Sequence, residues 1–288
     1  MASTSTTSGT NTTNTMVGTS KDSFRVAAIQ MLSGGDVAAN LATAEKLIAD
    51  AAEGGARLML LPEYFGIFGT RGRDKVDVQE VDGEGAQQAF LSRMAKQHGA
   101  WVIGGTVPVA TRADPDRVRS ACLVYGPDGS RVARYDKVHL FAFSQGDERY
   151  DEARTIEPGT APASFAAPFG NVGLSVCYDV RFPELYRALG EVALIVVPAA
   201  FTAVTGAAHW SLLLRARAVE NQCYVLAAAQ GGRHANGRRT YGHSMLIDPW
   251  GDVVAELDEG EGVLVGDIEP ARAAQVRRDL PALEHRRL

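Results

Sequence analysis

From Phe24 onward, short apolar runs alternate with amphipathic stretches, and that alternation restricts the chain to a layered fold. FRVAAIQM, ARLMLLP, AWVIGGTVP, ALIVVP and CYVLAAAQ are strand-sized. Between the first two, NLATAEKLIADAAEGG puts Leu41, Ala44, Leu47 and Ile48 on one face and closes on glycines, which predicts a helix. AQQAFLSRMAKQHG and AHWSLLLRARAVENQ read as helices too, and further helices start after Pro183 and Pro270. ACLVYG and SRVARYDKV flank PDG, a hairpin turn, and ASFAAPFGNVGLSVC reads as a second hairpin. HSMLIDPWGDVVAEL and GVLVGDI supply the last strands. Together these signals give an α/β protein with a mixed sheet. No linker or repeat interrupts residues 24–280, so residues 23–288 read as one domain. Met1 to about Ser20 are almost all Ser, Thr, Gly and Asn, and residues 1–22 are expected to be a disordered tail.

Composition removes several function classes. The net charge of -5 argues against a nucleic-acid partner. No apolar run is long enough to span a membrane, and the tail lacks the apolar segment of a secretion signal. Cys122, Cys177 and Cys223 are odd in number and form no C-x-x-C pair, so they read as reduced thiols in a cytoplasmic protein. No zinc-ligand spacing is present, and neither metal nor cofactor is expected.

Three polar residues sit just past apolar strands. The first is Glu63 in LMLLPEYFG, where partial desolvation would raise a carboxylate toward base-competent values, although a solvated loop acid fits equally. The second is Lys137 in RYDKVHLF, which alone reads as an edge-strand surface lysine. The third is Cys177 in SVCYDVRFPEL, on the turn between the strand NVGLSV and the helix after Pro183. Taken by itself, Cys177 reads as a small buried hydrophobe. As a set, the three can run acyl transfer. A thiol needs a base, a cation to hold the thiolate, and an oxyanion hole, for which Lys137 and the Tyr178 N–H are natural donors. A Cys-His dyad with His209 or His243 is the competing arrangement, and spacing does not choose between them.

LLPEYF, YDKVHLF and VCYDVRFPEL resemble, in order, the three motifs of the nitrilase superfamily of carbon–nitrogen hydrolases. The likeness extends over nearly all of Phe24–Leu288. It implies an αββα sandwich and a Glu-Lys-Cys catalytic set carried by Glu63, Lys137 and Cys177. Glu152 in YDEARTIEPG matches the family's second glutamate, which would orient Lys137 or the substrate. The stretch from Ala200 to Gly251 is similar to the Nit branch. NQCYVLAAAQGGRH looks closer to deaminated-glutathione amidases than to omega-amidases. The resemblance therefore implies a small amide substrate carrying a carboxylate, and a two-fold homodimer or higher even oligomer. Arg181, which physics alone divides between gripping a carboxylate and pairing with Glu184, becomes a candidate for substrate binding. Thr205 and His209 are further pocket candidates. Trp210, Leu213, Leu214 and Val219 read as core or interface. VHLFAFSQGDERYDE departs from the animal members of the branch and is expected to line the mouth of the site. Rival readings are an omega-amidase on 2-oxoglutaramate, a nitrilase, and a thiol-based binding or redox protein without hydrolase activity.

Overall fold

Val26 and Ala28 of the first strand face one way and Ala27 and Ile29 the other, yet all four are fully buried. A strand covered on both faces needs a layer on each side, which is why its sequence is apolar without alternation. The computed structural model describes residues 23–111, 113–145 and 148–287, and the predicted tail lies outside them.

The chain runs through β1 (Phe24–Gln30), α1 (Val37–Glu53), β2 (Leu58–Leu60), α2 (Asp74–Asp77), α3 (Ala86–His98), β3 (Trp101–Ile103), β4 (Val107–Ala110), β5 (Val118–Tyr125) and β6 (Arg131–Asp136). A small hairpin follows, β7 (Ala142–Gln145) and β8 (Glu148–Asp151). The second half runs β9 (Ala163–Ala167), β10 (Gly170–Leu174), α4 (Pro183–Ala188), β11 (Leu194–Ala199), α5 (Ala203–Asn221) and β12 (Tyr224–Ala229). A second hairpin, β13 (Gly231–Arg233) and β14 (Arg239–Tyr241), precedes β15 (Met245–Ile247), β16 (Val253–Glu256), β17 (Gly262–Ile268) and α6 (Pro270–Asp279).

One sheet has the order β17-β1-β2-β3-β5-β4, with β6 paired to β5, and the other has the order β16-β15-β12-β11-β10-β9. Both mix parallel and antiparallel pairs. Val26, Ala28, Leu58 and Leu60 pack with Val172, Leu194 and Val196 between the sheets. Ala27, Ile29 and Met59 pack with Ala44 and Ile48 of α1 and Phe90 and Met94 of α3. Trp210 and Leu214 of α5 are fully buried in the core that includes the second sheet. Truncating either to Ala would cost about 2–5 kcal/mol. The layers are helix, sheet, sheet, helix, the sandwich that the family resemblance implies.

Three local expectations change. AWVIGGTVP is two strands, because Gly104 and Gly105 break it between β3 and β4. α5 begins before AHWS, at Ala203, where Thr202 caps it by accepting from the Thr205 N–H at 3.2 Å. The segment after Lys137, where no strand was expected, holds the β7–β8 hairpin.

Candidate active site

Glu63 follows β2 on a turn that packs against the β3–β4 connection. A Cβ at Gly105 would lie 1.9 Å from the Pro62 carbonyl oxygen, and Gly105 has φ +36°, so only glycine lets the two backbones approach. Glu63 Oε2 accepts from the Ala200 N–H at 3.0 Å, and Oε1 accepts from Lys137 Nζ at 2.7 Å.

Lys137 directly follows β6. Its N–H donates to Ser120 O at 3.0 Å, and its carbonyl accepts from the Gly159 N–H at 2.8 Å. Gly159 passes so close that a Cβ there would sit 2.0 Å from Asp136 O. The side chain is wholly buried, and Nζ also donates to Glu152 Oε2 at 2.8 Å and Oε1 at 3.0 Å. Glu152 opens the single 3-10 turn Glu152–Arg154 after β8. Its Oε2 accepts from the Phe141 N–H at 2.7 Å, and Oε1 accepts from the Tyr64 hydroxyl at 2.6 Å. The hairpin is thus closed at its base by the same carboxylate that holds the lysine.

Cys177 follows β10 and opens the 3-10 turn Cys177–Arg181 with φ +49°. A left-handed conformation at a non-glycine residue is uncommon and costly, and it tends to occur where function over-determines the geometry. Here the determinant is Asp179, which is fully buried. It accepts from the Val176 N–H at 2.8 Å, the Tyr135 hydroxyl at 2.7 Å and the His139 N–H at 3.0 Å, and lies 2.7 Å from His139 Nδ1. One carboxylate therefore ties the cysteine turn to the strand end that carries Lys137. The thiol reaches the Glu63 carboxylate, with the Ala200 N–H alongside.

Two carboxylates and one ammonium share this buried space, and their titrations diverge. Burial pushes the Glu63 carboxyl above the ordinary value, against the pull of Lys137. For Glu152 burial acts the same way, but Lys137 and the Tyr64 and Phe141 donors outweigh it and hold the carboxyl low. Burial opposes the charge on Lys137, yet Glu152 and Glu63 raise its pKa well above the lysine norm. Burial and Glu63 raise the Cys177 thiol, so it rests protonated beside an acceptor. A raised carboxylate next to a protonated nucleophile is a base–nucleophile pair.

The site opens into a cavity of about 840 Å³, onto which Cys177, Glu63, Tyr64, Phe141, Lys75 and Arg238 face. Phe143, Ser144, Arg149, Tyr150 and Asp151 also line it, so the segment after Lys137 forms part of the cavity wall. Arg181, Thr205 and His209 do not line this cavity. Arg181 makes no ion pair with Glu184; its guanidinium nitrogens lie 3.3 Å from His209 Nδ1 and over the Phe201 and Tyr178 rings. Thr205 Oγ1 sits 2.9 Å from Thr202 Oγ1 in the first turn of α5. His243, the other possible base, places Nδ1 2.9 Å from Glu256 Oε1, and neither histidine lines the cavity. Tyr178, second in the 3-10 turn, packs its ring edge-on against Phe141 at 5.2 Å. Sequence reasoning missed Tyr64, Asp179, Lys75 and Arg238. Tyr64 and Asp179 lie within quoted motifs, whereas no local signal marks the two cations. Among the described residues no His, Cys, Asp and Glu side chains cluster as metal ligands.

The carbon-nitrogen hydrolase family model matches residues 25–278. A deaminated glutathione amidase of Synechocystis sp. is 42% identical over 268 residues, covering 91% of this chain and 98% of that one. The omega-amidase NIT2 of Danio rerio is 37% identical over 268 residues, with 92% and 95% covered. Among solved structures, a variant of the amidase from Nesterenkonia sp. AN1 carries the acetamide moiety of fluoroacetamide on its active-site cysteine. It superposes with a TM-score of 0.76 at 28% identity, covering 93% of this chain and 98% of that one. With the three motifs brought into one buried cluster on a four-layer sandwich, the chain belongs to the carbon–nitrogen hydrolase family and is an amidase of the nitrilase superfamily.

Proposed function

We propose that this enzyme hydrolyses deaminated glutathione, the 2-oxoglutaryl amide of cysteinylglycine, to 2-oxoglutarate and the dipeptide. The observation that carries this reading is the Lys137–Glu63–Cys177 cluster at the base of a cavity of about 840 Å³. The likeness to the Synechocystis amidase supports the choice of substrate. Glu63 takes the Cys177 proton as the sulfur bonds to the amide carbon. Lys137 Nζ and the Tyr178 N–H meet the charge on the carbonyl oxygen. Collapse breaks the C–N bond as Glu63 returns the proton to the nitrogen, leaving a thioester and the free amine. Glu63 then removes a proton from water as the water oxygen bonds to the thioester carbon, and the C–S bond breaks with that proton returning to the Cys177 sulfur. Glu152 keeps Lys137 in place, with Tyr64 holding Glu152. No cofactor takes part.

The expectation that Arg181 grips the substrate carboxylate does not carry over to the fold, because Arg181 does not line the cavity beside Cys177 and its guanidinium packs against His209, Phe201 and Tyr178. His209 steadies that guanidinium, and Thr205 fixes the start of the helix that carries His209. An omega-amidase acting on 2-oxoglutaramate is the second reading, favoured by the likeness to the Danio rerio protein. The test compares kcat/KM for deaminated glutathione, 2-oxoglutaramate and a plain aliphatic amide. Deaminated glutathione should lead. A lead for 2-oxoglutaramate makes the enzyme an omega-amidase, and a lead for the plain amide rejects both.

The working unit is read as a two-fold dimer in the cytoplasm. Leu212 and Val219 of α5 are 68% and 48% exposed, while Trp210 and Leu214 serve the protein's own core. That outer face suits an isologous contact. Light scattering should give a dimer that Leu212→Glu weakens. A monomeric parent protein rejects it.

A further inference from the structure

Among the described residues, Lys75, Arg149, Arg154 and Arg238 line the cavity without an ion pair, and of these Lys75 and Arg238 flank the neighbouring Tyr64 and Phe68 rings, whose centres are 5.8 Å apart. Lys75 of α2 donates to the Thr155 hydroxyl at 3.3 Å and holds its ammonium 5.5 Å from the centre of the Tyr64 ring. Arg238 lies 5.7 Å from the centre of the Phe68 ring and 5.4 Å from that of Tyr150. Neither forms an ion pair among the described residues. Three other cations of the wall do: Arg71 pairs with Asp74 and Asp77, Arg73 with Asp77 and Asp116, and Arg239 with Glu259. Lys75 and Arg238 feel each other, and Lys75 also feels Glu152, Lys137 and Glu63. Burial is the largest influence on Lys75 and pushes its ammonium below the ordinary lysine value. A desolvated ammonium beside a guanidinium is costly until an anion arrives, and an arriving carboxylate would offset that cost.

We propose that Lys75 and Arg238 bind the C-terminal carboxylate of the peptide leaving group, and that this contact sets a preference for 2-oxoglutaryl dipeptides over 2-oxoglutaramate. The inference rests on the reading of the site as a deaminated-glutathione amidase. That substrate carries a carboxylate at each end, whereas 2-oxoglutaramate carries one, on the acyl side only. With the scissile carbonyl at Cys177, one carboxylate belongs to the acyl side and the other to the leaving-group side, where Lys75 and Arg238 line the same cavity. Two residues of peptide extend about 7 Å beyond the scissile nitrogen. The cavity, at about 840 Å³, has volume to spare for such a group. The guanidinium can take both carboxylate oxygens and the ammonium one.

The test compares deaminated glutathione with its C-terminal carboxamide, which differs only in lacking the second charge. On the parent enzyme the carboxamide should be slower in kcat/KM by about tenfold to a hundredfold, the range for a lost charge-assisted contact. The loss should fall mainly on KM, because the contact is remote from the reacting bond. Arg238→Gln and Lys75→Met should each slow the acid and bring the acid-to-carboxamide ratio toward one. A general structural defect would lower both substrates and keep the ratio. Equal turnover of acid and carboxamide by the parent enzyme overturns the carboxylate site and leaves the amidase reading standing. Turnover of 2-oxoglutaramate with neither peptide hydrolysed overturns both.

Discussion

Lys137 Nζ stands 2.7 Å from Glu63 Oε1, and neither side chain has meaningful access to water. With Glu152 on the other side of the ammonium, the buried cluster carries one more negative than positive charge. Burial is what drives Glu63 up against the pull of Lys137, and the Glu152 charge adds to it, which prepares Glu63 to take a proton. Replacing the ammonium should therefore do more than remove an oxyanion donor. Lys137→Met leaves two buried carboxylates facing each other, and breaking a buried pair typically costs about 3–5 kcal/mol. Urea unfolding should show a loss of that size, with turnover abolished. Adding Glu152→Gln should recover part of the stability but none of the activity. Recovery of activity in the double variant would remove Lys137 from the chemistry.

Only one of the three thiols is expected to matter. Cys122 and Cys223 are fully buried, and burial pushes each thiol up to about 12. Cys177 is also raised by burial, but it faces the cavity and touches a base. Cys177→Ala should abolish hydrolysis, while Cys122→Ala and Cys223→Ala retain it. Mass spectrometry of protein trapped with substrate should find the acyl group on Cys177 alone. Substantial turnover by Cys177→Ala would contradict the mechanism.

The acid limb of activity reports Glu63. The base must be ionised to accept the thiol proton, and burial raises its pKa in the fold. Activity is therefore present above that raised value and is lost as pH falls through it. The limb of kcat/KM should lie above the ordinary glutamate value of about 4.3. Lys137, held well above the lysine norm by its two carboxylates, contributes no loss in the neutral range. An acid limb at or below the ordinary glutamate value would show that Glu63 is not the group that titrates.

Much of this was legible before any fold was known. Strand-sized apolar runs fixed where Glu63, Lys137 and Cys177 emerge, because each is placed by the end of a strand. Glu152 was named through family likeness alone; its contacts to Tyr64 and Phe141 depend on a hairpin whose sequence signal is the Gly146-Asp147 pair, flanked by runs too polar to read as strands. Lys75 and Arg238 were invisible for a different reason. Their roles depend on which cations lack partners, and pairing is settled by tertiary contacts such as Arg71 with Asp74 and Arg239 with Glu259. Trp210 and Leu213, spaced like a core stripe, divide in the fold: Trp210 is fully buried and Leu213 only half-buried.

Asp179 should prove a positioning residue for the nucleophile. Its buried carboxylate accepts from the Val176 N–H, the Tyr135 hydroxyl and the His139 N–H, which joins the Cys177 turn to the segment bearing Lys137. Asp179→Asn keeps the size but replaces one oxygen by a donor. That amide can still accept from some of these groups, but its NH2 must face an N–H or a hydroxyl that also donates. The left-handed backbone at Cys177, φ +49°, then loses part of what holds it. Each charge-assisted hydrogen bond lost costs about 1.5–3 kcal/mol. The variant should unfold at lower urea and show a lower kcat, with KM little changed because Asp179 does not line the cavity. Alkylation of Cys177 by iodoacetamide should slow in step with kcat, since both depend on the sulfur meeting Glu63. A variant that loses stability yet keeps the parent kcat and alkylation rate would limit Asp179 to holding the core.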